Sequence, residues 1–419
     1  MSEFFGDDEL ERLRQHGIVL FARRVIFDAQ PPMTQARIAE VQAACGGPIP
    51  AELLDLWRVT AGGRLDYDLR LNMNGSEEAI DWRWLFWHGG EDGNDLQLRI
   101  DHEMEGARQA DAEASSVGGP RWDGKLTLLP IGGNAEADRI YAVVEPGADH
   151  GHVLAWKQGL PTAWPHEMHE DGITTIASDL CAAFESLHLD EDPLAPAGDY
   201  FTGRELLEFL DLRHEEHGLD LELSDKLIDF YRRAIIDWRT PLAEGTLAQE
   251  GPLARAALRH AIATDDAALV ERLAAAGVAL DGPLDANTLA TDLALSHGAH
   301  AAAEALVRAG APVPHDALDC IDSAVSPELA ELLLARGATP TVQAIVECVA
   351  CGAPAAARLI AAAYGKTHED LPQAFAASRD AMLAELEASI EEVRAGRLSH
   401  YLGAVGLTKR ADHLLSFSL

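Results

Sequence analysis

The chain has 419 residues, enough for two or three domains, and its 69 Asp and Glu against 33 Lys and Arg give a formal net charge of −36. This charge argues against a nucleic-acid-binding protein, which needs a basic face for phosphate contacts; it is compatible with a basic protein partner or with solubility alone. Five cysteines, an odd number, do not indicate a disulfide framework.

Neither the first segment of the chain nor its most apolar stretch predicts a membrane protein. The first segment, MSEFFGDDELERLRQHG, is acidic and lacks the apolar run of a secretion signal. The nearest approach to a membrane span is TVQAIVECVACGAPAAARLIAAA (341–363), which Glu347 and Arg358 interrupt and Pro354 breaks. We therefore expect a cytoplasmic protein with no membrane partner.

A short helix bounded by glycine pairs is predicted in GGPIPAELLDLWRVTAGG (46–63). Pro50 suits the first helical position, and Gly62 suits the left-handed conformation that ends a helix. The apolar residues on one face of this helix are Leu53, Leu56 and Trp57. An earlier helix is predicted over 34–45, with Thr34 as its N-cap. The two helices form a pair that leads into the strands.

Strands follow this helical pair. Stretches rich in apolar, β-branched and aromatic residues occur at 67–73, 82–88, 126–131, 140–146 and 152–158, separated by turn-forming residues. A helix is then predicted over about 174–188, and its apolar side would carry Ile176, Leu180, Phe184 and Leu187. This order predicts an α+β domain in which helices cover one face of an antiparallel sheet.

The second half of the chain differs in composition and repeats itself. Seven of the eight Trp lie between Trp57 and Trp164, and the stretch LDEDPLAPAGDY (189–200) reads as a linker. Beyond it, apolar helices end in glycine at intervals of about 30 residues, at Gly277, Gly310, Gly337 and Gly365. Such self-similarity predicts an all-α stacked array.

The first half resembles the SUKH superfamily. GGPIPAELLDLWRVTAGG resembles its signature of a Gly-x-x-Pro start, a short helix and an Asn-Gly-Gly end, with Ala61 where the family has Asn. The segment LTLLPIGGNAEADRIYAVVEPGADHGHVLAWKQG (126–159) resembles its central hairpins, and ITTIASDLCAAFESL (173–187) resembles its closing helix. The resemblance covers about 34–190. It implies helices packed on a twisted antiparallel sheet and a bacterial immunity protein that binds a toxin and blocks its active site.

The repeats resemble ankyrin repeats in LRHAIATDDAALVERLAAAGVAL (258–280) and DLALSHGAHAAAEALVRAGAPV (292–313). The usual Thr-Pro-Leu-His start is absent, and ANTLATDLA (286–294) is its closest remnant. We expect a degenerate, ankyrin-like array. The predicted organisation is a SUKH-like domain over 1–190 with its core at 34–190, a helical linker or cap over 191–250, repeats over 251–365 and a C-terminal helical cap over 366–419.

Two motifs invite a metal or redox interpretation, and neither has the spacing or setting for it. In WPHEMHEDG (164–172), His166 and His169 are three residues apart, whereas the helical zinc motif needs four, so we interpret the segment as a solvated loop. CVAC (348–351) lies in an Ala-rich helix, where cysteine serves as a small core residue. With no Gly-x-Ser-x-Gly, P-loop or Gly-x-Gly-x-x-Gly motif either, we expect no enzyme, no metal and no cofactor.

The segment 82–113 combines aromatic and acidic residues and is the candidate partner-binding site. Aromatic anchors beside carboxylates suit a basic protein surface. Alternatively, the Trp residues belong to the core and the acids to a solvated loop. The candidate contact residues are Trp82, Trp84, Trp87, Glu91, Asp92, Asp95, Asp101 and Glu103.

Two functions fit these observations. The first, implied by the SUKH resemblance, is an immunity protein whose cognate toxin acts in the cytoplasm and is a nuclease, a deaminase or a nucleotide-modifying transferase. The second is an ankyrin-type scaffold or regulator that binds a protein unrelated to toxins.

Overall fold

The computed structural model describes residues 4–73, 75–90, 93–115, 122–134, 138–157, 172–196, 201–285, 288–321, 323–400 and 402–419. The chain divides into two compact units, Met1–Ile236 and Asp237–Leu419. The first unit mixes helices with an antiparallel sheet and the second is helical apart from a short hairpin, so the predicted α+β and helical halves are both present.

The first unit contains seven helices and ten strands among its described residues. The helices are α1 Asp7–Gln15, α2 Gln35–Ala44, α3 Ala51–Val59, α4 Leu96–Ser115, α5 Leu180–Ser186, α6 Arg204–His217 and α7 Leu221–Tyr231. The strands are β1 Val19–Phe21, β2 Arg24–Ile26, β3 Gly63–Arg64, β4 Arg70–Met73, β5 Ser76–Ala79, β6 Trp84–Leu85, β7 Leu128–Gly133, β8 Arg139–Val143, β9 Val153–Trp156 and β10 Ile173–Ala177.

The main sheet has six strands in the order β10-β9-β8-β7-β6-β3, and every neighbouring pair is antiparallel. Tyr141 in its centre lies opposite Pro130 of β7 and Leu154 of β9. The principal core lies on one face of the sheet and includes Trp57 and Phe184, contributed by α3 and α5. A smaller apolar cluster around Tyr141 lies apart from it.

The helical pair forms as predicted, but Gly62 does not take the left-handed conformation expected of it: α3 ends at Val59 with the extended Thr60 as its C-cap, and the glycine pairs have a packing reason instead. Thr34 caps α2 by accepting from the Arg37 N–H at 3.4 Å, and Pro50 stands at the N-cap of α3. A Cβ on Gly47 would lie 2.2 Å from the Val144 carbonyl oxygen, and one on Gly62 would lie 2.7 Å from that of Leu85. Both ends of α3 therefore touch the sheet at points where only a residue without a side chain fits.

Thr60 holds the turn after α3 through its buried hydroxyl. Its hydroxyl donates to the Gln30 carbonyl oxygen at 2.9 Å and accepts from the Gly62 N–H at 3.2 Å. The side chain is fully buried, so these bonds satisfy a polar group that burial would otherwise penalise. The turn after α3 is thus held although Ala61 has no side chain to cap it.

The helix predicted over 174–188 is wrong in its first part. Residues Ile173–Ala177 form the edge strand β10, paired with β9, and α5 begins only at Leu180. The β-branched run Ile-Thr-Thr-Ile favours an extended backbone. Asp179 then accepts from the Ala182 N–H at 2.9 Å and starts the helix.

The boundary between the two halves also differs from the prediction at residue 190. Helices α6 and α7 belong to the first unit, where Leu206, Leu227 and Tyr231 are part of its core. The start of the expected linker is fastened to the end of α7. The Leu189 N–H donates to the Ala234 carbonyl oxygen at 2.9 Å, and Asp192 pairs with Arg232. The unit therefore ends at Ile236.

The second unit consists of paired helices. They are α8 Arg239–Glu244, α9 Gly251–Ala263, α10 Ala267–Ala275, α11 Ala290–Ser296, α12 His300–Ala309, α13 Pro327–Ala335, α14 Val342–Ala350, α15 Pro354–Tyr364, α16 Leu371–Arg394 and α17 Gly403–Ser416. The hairpin is β11 Pro283–Asp285 with β12 Thr288–Leu289. Of the glycines predicted to end helices, Gly277, Gly310 and Gly337 are left-handed, whereas Gly365 has φ −64°.

Within the described part of the chain, no helix combines the length and apolar character that a membrane crossing requires.

Candidate partner-binding surface

Trp82 belongs to the core, not to a partner-binding surface. Its side chain is 1% exposed, and its ring meets that of Phe184 edge to face, with the centroids 5.3 Å apart. Phe86 is equally buried. The expectation that Trp82 faces a partner is therefore wrong, because its large apolar area is already covered by the closing helix α5.

Trp84 and Trp87 form a half-buried tryptophan pair at the β3 side of the sheet. Their ring centroids lie 5.8 Å apart at an interplanar angle of 41°, and the Arg64 guanidinium lies 4.8 Å from the Trp84 ring centroid. Trp87 rests on Gly62, where a Cβ would lie 2.8 Å from its own. Strand pairing and this close contact hold both rings in place while leaving part of each accessible.

The acids predicted to face a partner have different surroundings. Glu91 and Asp92 lie outside the described residues. Asp95 is the N-cap of α4: its carboxylate accepts from the Leu98 N–H at 2.8 Å and from the Gly89 N–H at 2.7 Å. Asp101 is exposed on α4 and accepts from the Gln97 amide at 2.9 Å. Of the predicted contact acids that the structure describes, Asp101 is thus the one that is exposed.

Glu103 is buried, which contradicts its predicted role. Its carboxylate is 1% exposed, and Oε1 accepts from Arg139 and from the Tyr141 hydroxyl, both at 2.9 Å. Burial raises the pKa of Glu103, and the attraction of Arg139 and Tyr141 only partly opposes it. The segment forms the helix α4 and not a solvated loop, and Glu103 lies on the inner face of this helix.

The outer face of α4 still carries acids that a partner could reach. Asp101 and Glu105 are exposed there, and Arg108 on the same face pairs with Glu105 at 2.8 Å. The helix begins beside Trp87, whose carbonyl oxygen accepts from the Leu96 N–H at 3.0 Å. The tryptophan pair and this acidic helix face are therefore parts of one connected region.

A cleft lined by Asp66, Asp68, Asp81 and Asp138, here called the aspartate cleft, was not identified from the sequence. Its volume is about 240 Å³, and Arg83 lines it next to Trp84. A signal for it was present. In LDYDLR (65–70) the buried Leu, Tyr and Leu alternate with charged residues, and this alternation places the charges on the opposite side of the chain.

The aspartates of this cleft are held by hydrogen bonds. Asp66 accepts from the Leu206 N–H at 3.0 Å, and Asp68 accepts from the Thr202 hydroxyl at 2.8 Å. Burial raises the pKa of both carboxyls, and the nearby Asp190 raises that of Asp68 further. These bonds fix the start of α6 against the strand segment, so the cleft has a structural role besides its charge.

The two motifs with a possible metal or redox interpretation, WPHEMHEDG and CVAC, differ in how far the structure describes them. Among the residues that the structure describes, no group of three or more His, Cys, Asp and Glu is placed to hold a metal ion. His166 and His169 lie outside them. Both cysteines of CVAC are free thiols: burial raises the pKa of Cys348 to about 12, which suits the predicted core role, whereas Cys351 is only half-buried.

Comparison with known proteins adds no relative. No family model, no curated protein and no solved structure matches the chain.

Proposed function

We propose that the chain is a bacterial immunity protein that binds a cognate, cytoplasm-acting toxin and blocks its active site. The observation that carries this proposal is the tryptophan pair. Trp84 and Trp87 are pinned by Arg64 and Gly62, yet each remains half-exposed at the edge of a charged surface. Rigid, partly exposed aromatic rings are the residues that most often anchor protein–protein interfaces.

The charge around this pair supports a basic partner. Helix α4, whose outer face carries the exposed acids, begins next to Trp87, and the aspartate cleft begins next to Trp84 at Arg83. Arg83 and Arg64 both pair with Glu205, which offsets part of their charge. With a net charge of −36 on the whole chain, a toxin with a basic substrate site would be attracted over a long range and would associate faster.

The architecture of the first unit is compatible with the SUKH resemblance. The resemblance implies a helical pair, an antiparallel sheet and a closing helix in this order, and α2, α3, the six-stranded sheet and α5 occur in it. This agreement supports the immunity function only by analogy of fold.

The scaffold function is the second candidate, and the helical pairs of the second unit favour it. Stacked helical pairs make extended surfaces that bind proteins. In this function the chain would bind a protein unrelated to toxins, and the same tryptophan pair would serve as an anchor. The two candidates differ in what the partner does to the cell.

A growth experiment separates them. The gene directly upstream of the gene of this chain is expressed in a bacterial host, alone and together with the full chain. Immunity requires that the neighbouring gene alone stops growth and that co-expression restores it to the level of the empty vector. If growth stops equally with and without the chain, the immunity proposal is rejected for this partner, and the scaffold function is favoured.

A further inference from the structure

The second unit contains a groove of about 630 Å³ between α17 and the turns that precede α12, α13 and α15. One wall is made by small residues in or next to those turns, among them Gly298, Ala324 and Ala350. The other wall is α17, which contributes basic side chains to the groove. We call it the cation groove; the α17 residues that define it are Lys409, Arg410 and His413.

The three basic side chains are grouped by the helix itself. They lie within five residues of α17, so they span about 6 Å along its axis. The same helix packs against the rest of the second unit through its buried residues Leu407, Ala411 and Leu414. That packing fixes the position of Lys409, Arg410 and His413 at the groove.

Two of these side chains are already oriented. Arg410 donates to the Cys351 sulfur at 3.2 Å, and His413 Nδ1 lies 3.0 Å from the Ala350 carbonyl oxygen, to which it donates. The His413 ring fits against Gly352, where a Cβ would lie 2.8 Å from its Cε1. Such restraint lowers the entropy lost when a ligand binds.

Lys409 is different because it is exposed and forms no ion pair with any residue that the structure describes. In a chain with twice as many acidic as basic side chains, a lysine without a carboxylate partner is a local positive charge. Distant acids weaken it little at physiological salt, because charges more than about 8 Å away are screened.

We propose that the cation groove binds the phosphate or diphosphate group of a small molecule. The span of the cations matches one such group, whereas an extended acidic peptide would need cations spread over a longer surface. The volume lies within the range of small-molecule sites, and the Gly and Ala wall leaves room for the rest of the ligand. His297 lines the groove as well and would add a hydrogen bond. The inference does not depend on the proposed immunity function.

The test is calorimetric titration of the full chain with inorganic pyrophosphate in 0.15 M salt. We expect saturable binding, and we expect Lys409→Ala to raise the dissociation constant about tenfold, because it removes a charged contact to the phosphate. Lys366→Ala is the matched control, since Lys366 is an exposed lysine of the same unit that does not line the groove. Far-UV circular dichroism checks that both variants fold.

A second readout locates the binding. Cys351 lines the groove, so bound pyrophosphate should slow its alkylation by iodoacetamide, followed by peptide mass spectrometry, in the parent and much less in Lys409→Ala. Absence of saturable binding would overturn the proposal. So would equal weakening by Lys409→Ala and Lys366→Ala, or alkylation of Cys351 at an unchanged rate in saturating pyrophosphate, because each would place the anion outside the groove.

Discussion

Gly62 and Trp87 touch so closely that a Cβ at position 62 would lie 2.8 Å from the Trp87 Cβ and 3.0 Å from its ring carbon Cε3. The second glycine pair of GGPIPAELLDLWRVTAGG therefore has a packing role beyond the end of α3 at Val59. It brings the turn after the helix against the segment that carries the tryptophan pair. The fold signature and the candidate binding surface are joined at this contact.

We expect Gly62→Ala to destabilise the protein by about 1–3 kcal/mol, because the new methyl group also meets the Leu85 carbonyl oxygen and the backbone must shift. Urea unfolding followed by circular dichroism measures the loss. Gly147→Ala is the control: an added Cβ meets nothing within 4 Å there, so its stability should stay within about 0.5 kcal/mol of the parent. Equal stability of the two variants would show that the close contact is not maintained in solution.

The sequence predicted those features that depend on local rules. Thr34 caps α2 because a hydroxyl before a helix accepts a free backbone N–H wherever the helix lies. The central hairpins follow from alternating apolar residues and turn-forming residues, and β7, β8 and β9 form close to the predicted stretches. None of these needs knowledge of distant contacts.

The features it missed depend on tertiary packing. Glu103 lies inside because Arg139, on a strand far along the chain, provides the opposite charge. Helices α6 and α7 belong to the first unit because they contact Asp66 and Tyr67. Nothing in the sequence around these two residues indicates such contacts. The aspartate cleft was not predicted from the sequence because its acids come from separate stretches of the chain.

The Glu103–Arg139 pair makes a prediction about pH. Because burial raises the folded-state pKa of Glu103 above its unfolded value, the folded state holds the proton more tightly. This group therefore favours folding most at low pH, and its contribution declines as pH rises through the folded-state pKa. We expect Glu103→Gln to remove that decline, which urea unfolding at a series of pH values would show as a flatter stability profile.

Arg139→Ala is the matching variant and should cost about 3 kcal/mol at pH 8, because it leaves a carboxylate buried without its partner. The loss should be smaller at pH 5, where the carboxyl more readily takes up a proton. A loss that is independent of pH would mean that Arg139 acts through packing on Trp156, whose ring centroid lies 5.6 Å from its guanidinium, and not through charge.

The unit boundary can be tested by truncation. A fragment over 1–236 should fold with a single cooperative urea transition, whereas 1–190 should not, because it lacks Leu206, Leu227 and Tyr231 from the core. Limited proteolysis of the full chain should accordingly release a fragment that ends near residue 236. A cooperative transition in 1–190 with the parent midpoint would restore the boundary first predicted at residue 190.

Electrostatic assistance predicts how partner binding responds to salt and charge reversal. The variant with Asp101→Lys and Glu105→Lys should slow association with the toxin, and the variant with Glu215→Lys and Glu216→Lys, an equal charge change on α6, should slow it less. Asp95 is unsuitable for this test because its reversal would remove the cap of α4. Stopped-flow rates at 0.1 M and 1 M salt, where the screening length falls from about 10 Å to about 3 Å, should converge. Association rates that do not change with salt concentration would exclude electrostatic steering.

The tryptophan pair makes the sharpest prediction about the interface. If Trp84 and Trp87 anchor the toxin, replacing both by Ala should raise its dissociation constant at least 30-fold, which corresponds to about 2 kcal/mol for an anchoring residue. Trp122→Ala is the matched control, since Trp122 is also half-buried but lies near Asp111, roughly 20 Å along α4 from the pair. Because Trp87 packs on Gly62, urea unfolding must first show that the double variant is folded at the temperature of the binding assay. Biolayer interferometry then measures the dissociation constant of each variant. If both variants bind as the parent does, the pair is not the anchor, and the helical pairs of the second unit become the next surface to mutate.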